Sequence, residues 1–156
     1  MLKQSKSILL AMVLLPFLSI PLLGKESIKR YLPSGIFILS VVAVVSTIAH
    51  KRKWWWFYVK LHPKVPGIVP LMGPFLIGSM WIMKFTYGKF FQFTLLNMIV
   101  DSIFTFVIER FLKKFGLASL VRLKKIQLSL ILFIEAWMLY GFQFLKEKYS
   151  NKGMEY

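Results

Sequence analysis

Apolar and polar positions fall in long blocks along this chain. Five apolar runs occupy residues 8–23, 31–49, 68–83, 90–108 and 126–145, and a short polar or basic connection separates each from the next. A hydrocarbon core of about 30 Å takes about 20 helical residues, with about 17–25 as the working range. The pattern predicts an all-α fold: an integral membrane helical bundle of about five transmembrane helices, forming one domain over residues 1–156.

The runs differ in quality. The first follows Lys3 and Lys6, as a signal peptide would. The residues around Leu22-Leu23-Gly24 lack a small-x-small cleavage site, and Pro16 and Pro21 interrupt the run, so an uncleaved helix is expected. The second, 31–49, carries no charge and ends at His50-Lys51-Arg52-Lys53. Pro33 and Ser34 suit its entry. Ser40, Ala43 and Thr47 share one face, where small residues would let another helix approach closely.

The third run is the weakest. Pro63, Pro66, Pro70 and Pro74 punctuate it together with Gly67, Gly73 and Gly78, and each interior proline removes a backbone hydrogen bond. It reads either as a kinked span or as a re-entrant hairpin, with backbone groups that must find partners in protein or water. Lys84 to Lys89, including Gly88, is a tight turn, and Glu109 to Lys125 is a basic linker with room for a short interfacial helix around Phe111 to Leu123.

Composition strengthens the membrane reading. Hydrophobic residues make up 57% of the chain, Phe alone occurs 15 times, and the mean hydropathy is +0.63. A soluble domain of this size has too little interior to hide that surplus. The net charge of +15 comes from 21 Lys and Arg against 6 Asp and Glu. These cations cluster between apolar runs, where membrane topology and anionic head groups explain them. The partner implied is a lipid bilayer with anionic head groups, and nucleic acid is not expected. Lys51, Arg52 and Lys53 precede Trp54, Trp55 and Trp56, followed by Phe57 and Tyr58. Aromatic rings beside cations make an interfacial anchor.

With five spans, the amino terminus shares a side with the second and fourth loops, and the Lys and Arg count is 13 on that side against 8 on the other. If 68–83 is re-entrant the tally is 12 against 9. Both place the amino terminus in the cytoplasm.

Two acids interrupt apolar runs. Asp101 lies near the centre of 90–108, and Glu135 near the centre of 126–145. A central Asp costs about 2.5–3.5 kcal/mol on the insertion scale, and the surrounding Phe, Leu, Ile and Val return about 4–7 kcal/mol. Such a helix is marginal alone and depends on its neighbours. Thr94, Asn97, Asp101 and Thr105 fall within an arc of about 80° at 3.6 residues per turn. That polar stripe should face protein or a water-filled cavity. Glu135 has no such stripe: Ile131, Met138, Leu139 and Phe142 share its face, with Gln127 and Gln143 at the edges. The acids can bind or relay a proton or cation, or can hydrogen-bond a neighbouring helix and fix packing.

Other chemistry finds little support. The chain has no Cys and two His. His50 and His62 have no third ligand at useful spacing, so no metal site is expected. There is no nucleophile elbow, phosphate-binding Gly loop or paired His motif, so neither an enzyme nor a cofactor is expected.

His62-Pro63, Gly73-Pro74, Phe85-Thr86-Tyr87-Gly88 and Asp101 together make residues 30–145 resemble the small multi-pass membrane proteins of Bacillus-type spore-forming bacteria. The resemblance implies a bacterial plasma membrane and brings no activity or site residues with it. Two function classes follow from the sequence. One is a structural, assembly or sensory membrane component that contacts a second copy or another membrane protein. The other is a small proton- or cation-coupled transporter or channel subunit using the mid-membrane carboxylates. With 156 residues a single copy has little room for alternating access, which favours the first.

Overall fold

The computed structural model describes residues 2–60, 62, 64 and 69–152. Its helices are α1 (Leu2–Leu18), α2 (Ile20–Leu23), α3 (Lys25–Lys51), α4 (Val69–Thr86), α5 (Phe90–Ile103), α6 (Glu109–Lys114) and α7 (Lys125–Lys152). A π-helical segment, Phe104–Ile108, joins α5 to α6 without a break. Two short strands, β1 (Trp55–Phe57) and β2 (Ala118–Leu120), complete the element list.

Cross-helix contacts fix the directions. Gly73 of α4 lies against Val13 and Phe17 of α1, and the Trp81 indole donates to the Ser19 hydroxyl at 3.0 Å, so α1 and α4 run parallel. Gly35 of α3 packs on Leu76 of α4, and Tyr31 meets Tyr87 edge-on, so α3 runs the other way. Arg30 pairs with Glu147, and Phe37 stacks on Phe142 at 4.3 Å, which sets α7 antiparallel to α3. Phe90 and Phe93 of α5 lie against Tyr140 of α7, while Glu109 pairs with Lys125 at 3.0 Å. The bundle therefore runs up, down, up, down, up.

Local sequence explains the breaks. Pro21 lacks an N–H, so the first helix tightens at Ser19, whose amide bonds Pro16 O at 3.0 Å. Lys84 then donates to the carbonyls of Leu22 and Leu23 at 3.1 and 2.9 Å, satisfying helix-end acceptors. The chain reverses from α4 into α5 at Gly88, with φ of 86°, but the turn is shorter than the expected Lys84 to Lys89, because α4 continues through Thr86.

Several expectations change. Of the third run, Pro63, Pro66, Gly67 and Ile68 lie outside the described residues. Val69–Thr86 is one continuous helix that carries Pro74 inside it, so no hairpin forms there. Ser40 and Thr47 do not line a helix contact. They are exposed and bond back to Ile36 O and Ala43 O of their own helix, while the packed face of α3 is Tyr31, Ser34, Gly35, Ile38, Val42, Ser46 and Ala49. The basic linker holds no helix through Leu123. The helix ends at Lys114, and Ala118–Leu120 becomes a strand because it finds β1.

β1 and β2 pair antiparallel with Trp55 opposite Leu120, Trp56 opposite Ser119 and Phe57 opposite Ala118. Lys53, at φ of 55°, turns the chain out of α3, and Tyr58 N donates to Leu117 O at 2.9 Å. This small sheet closes one end of the bundle over Leu9, Val59, Leu112, Leu117 and Ala118. The main core, around Ile38, Val42, Ile77, Met80, Phe93 and Leu139, fills the middle.

Outside, the molecule is apolar. Leu18, Leu22, Phe91 and Ile126 are each at least 70% exposed. Four helices are long and apolar enough to cross a membrane among the described residues: Lys3–Leu23, Lys25–Lys51, Phe90–Lys114 and Lys125–Lys152.

Candidate functional site

The polar stripe on α5 turns inward. Asn97 is 5% exposed and Thr105 fully buried, while Thr94 and Asp101 are half-buried. Glu135, 4% exposed, approaches from the adjacent helix α7. Asp101 and Glu135 line neighbouring cavities that share Phe75, Phe104 and Leu132. The structure thus places the two acids beside adjoining cavities, whereas the sequence shows only that each is central to its apolar run.

Few of these groups are satisfied within the fold. The Asn97 amide donates to Phe93 O at 2.8 Å. Asp101 Oδ2, Thr94 Oγ1, Thr105 Oγ1 and Ser46 Oγ are buried and have no hydrogen-bond partner among the described residues. Each such group costs about 1–3 kcal/mol, so the cluster is a poor way to hold helices together.

Two cavities explain where the polar groups point. One, of about 190 Å³, is lined by Ser79, Asn97 and Asp101 among apolar neighbours. The other, of about 80 Å³, lies towards the sheet-capped end and is lined by Ser46, Glu109 and Glu135 beneath Trp55 and Phe57. Among the described residues, no Lys or Arg lines either one. The larger has space for several waters or one small cation beside a carboxyl. Two acids without a basic neighbour can pass a proton between them or share a monovalent cation.

A second polar cluster, missed in the sequence, sits at the carboxyl-terminal end of the apolar run of α7 and just beyond it. The Ser34 hydroxyl donates to Gln143 Oε1, and Gln143 Nε2 donates to Glu147 Oε1 at 2.7 Å. Arg30 grips Glu147 with two bonds, Nε to Oε1 at 2.5 Å and Nη2 to Oε2 at 2.9 Å. The Arg30 guanidinium holds the Glu147 carboxyl below the usual carboxylate range. Burial pushes the Tyr87 phenol up to about 12, and it also hydrogen-bonds Glu147. A signal existed: Glu135, Leu139, Gln143 and Glu147 repeat every four residues along one helix face.

The aromatic run expected to act as an interfacial anchor lies at the capped end. Trp56 is 40% exposed and stacks on His50 at 4.9 Å, while Trp55 belongs to the sheet and lines the smaller cavity. Lys51, Arg52 and Lys53 stand exposed beside it. No group of three metal-ligating side chains occurs among the described residues. No protein-family model, curated protein or solved structure matches this chain.

Proposed function

We propose that this chain is an integral membrane protein that carries a proton or a small monovalent cation through its bundle by way of Asp101 and Glu135. The observation behind this reading is the pair itself. Two carboxyl groups from α5 and α7 line adjoining cavities that, among the described residues, no Lys or Arg lines. Intramembrane acids kept at a price in stability mark ion and proton pathways.

The apolar exterior supports insertion. Only 11% of the most hydropathic window of Lys3–Leu23 is buried, and 17% of that of Phe90–Lys114, so lipid rather than protein is the solvent of those faces. The 18 residues of α4 rise about 27 Å, slightly less than the hydrocarbon thickness of about 30 Å. Packed on α1 and α3, α4 makes a fifth, inner span. The sheet-capped end then faces the cytoplasm, because its segments hold 13 of the 21 Lys and Arg. The resemblance to multi-pass proteins of Bacillus-type spore formers favours a bacterial plasma membrane.

The test is flux into proteoliposomes under an imposed pH or Na⁺/K⁺ gradient. Wild type should conduct, and Asp101→Asn and Glu135→Gln should each lower the flux at least ten-fold while the protein stays monodisperse. Flux unchanged in both variants, with impaired recovery of a co-purifying membrane protein, would sink this reading in favour of a structural or assembly role. The exposed basic end would be the surface for such a partner.

A further inference from the structure

The two cavities are distinct, partly open clefts, and each is lined by one of the two acids. Asp101 lines the larger with Asn97 and Ser79. Glu135 lines the smaller with Ser46 and Glu109. Three side chains line both: Phe75, Phe104 and Leu132. These apolar groups form the wall across the bundle axis, with the sheet-capped end on one side and the mid-bundle on the other.

The three are not equally fixed. Leu132 sits inside the uninterrupted helix α7 and is 6% exposed. Phe75 lies on the continuous helix α4 directly after Pro74, whose ring locks its own φ. Phe104 opens the π segment. A π turn contains one residue more than the α path it replaces and is tied by i to i+5 bonds, a rare form that concentrates at functional sites. Moving that extra residue along the helix rotates the side chains it passes by about 100°.

Thr105 places an unsatisfied polar group inside the segment. It is fully buried, yet its hydroxyl has no partner among the described residues. In regular α geometry a Thr hydroxyl can reach the carbonyl at i−4, which here belongs to Asp101. That bond is not made in the observed segment, which leaves the hydroxyl an uncompensated cost that a rearrangement could remove.

We infer that Phe104 is a movable apolar gate between the Asp101 and Glu135 compartments, swung by migration of the π turn. This rests on the proton or cation reading of the acid pair. With the ring across the wall, each acid communicates with its own end of the bundle. With the ring withdrawn, the compartments merge and the ion passes. The gate makes and breaks no covalent bond.

The experiment has two independent readouts in full-length protein reconstituted in sealed vesicles. The first is flux of protons and of Na⁺ or K⁺ through wild type, Phe104→Ala, Phe104→Trp and Asp101→Asn. Phe104→Ala should raise the flux at least three-fold and Phe104→Trp should depress it. The second uses the absence of cysteine from the chain. A Ser79→Cys reporter is treated from the sheet-capped side with a small, charged methanethiosulfonate. Labelling should quicken at least ten-fold when Phe104→Ala is added. If Asp101→Asn blocks flux while Phe104→Ala alters neither flux nor labelling, the gate is wrong and the acid pathway stands. If no variant conducts, the acid pathway is wrong, and the labelling alone decides the wall: faster labelling supports the partition and unchanged labelling overturns it. Phe104→Leu replaces Phe104→Ala if the alanine variant aggregates, with the same expectations at smaller amplitude.

Discussion

Gln143 has no solvent exposure, and its amide is committed at both ends, to Ser34 on one side and to Glu147 on the other. Replacing it with Leu keeps the bulk and strands the Ser34 hydroxyl. Interhelical polar bonds of this kind are worth about 0.6–2 kcal/mol, so Gln143→Leu should lower unfolding stability in detergent by about that much. Ser34→Ala in the same background should add nothing further. Glu147, beyond the apolar run 126–145, gives a pH signature. Its carboxyl is lowered in the folded protein, so its contribution is complete above the unfolded pKa of about 4.3 and fades as pH falls through the folded value. Glu147→Gln should therefore lower the melting temperature near neutral pH and lose its effect in strong acid. The effect should also shrink with salt, because the Arg30 side chain is half exposed. At this scale the sequence was legible where a polar residue broke an apolar run within a stripe, as at Asp101. It was not legible at Gln143, because only the fold reveals which helix supplies Ser34.

Among the elements, the helices of 31–49, 90–108 and 126–145 were readable because their apolar runs are long and their ends are charged. The strands were not. Trp55–Phe57 and Ala118–Leu120 are three residues each, too short for an alternation to register, and neither is a strand without the other. Interface aromatics read as an anchor because the ring chemistry is local, whereas pairing is a tertiary choice. The π segment was hidden for a similar reason: one extra residue within an apolar run leaves the composition untouched. Helix packing makes its own prediction. A Cβ on Gly35 would stand 2.6 Å from a methyl of Leu76. Alanine there needs only a side-chain shift, but Gly35→Ile overfills the contact and should cost about 1–3 kcal/mol, read as a lower melting temperature with flux reduced in proportion to the folded fraction.

As a whole the bundle has, among the described residues, five alternating long helices and unequal ends, and the proposed insertion makes each helix one span. The sheet-capped end holds Lys3, Lys6, Lys51 to Lys53 and the basic residues around β2, and the opposite end holds the Arg30–Glu147 cluster. Reporter fusions should place the amino terminus in the cytoplasm and the carboxyl terminus outside; a cytoplasmic carboxyl terminus would eliminate five spans. The cap adds a constraint in time. Tyr58 and Ser119, which share a 2.8 Å hydrogen bond, stand 61 residues apart. At about 5–20 residues per second, the ribosome needs about 3–12 s to make the stretch between them. The two strands leave the ribosome separated by that same interval, during which the hydrogen-bonding edge of β1 is open, and it can be covered only after α4, α5 and α6 have been made. On the proposed insertion, synthesis therefore passes through a stage in which β1 waits at the bilayer surface without its partner strand, and it is there that a neighbouring nascent chain would find its opportunity.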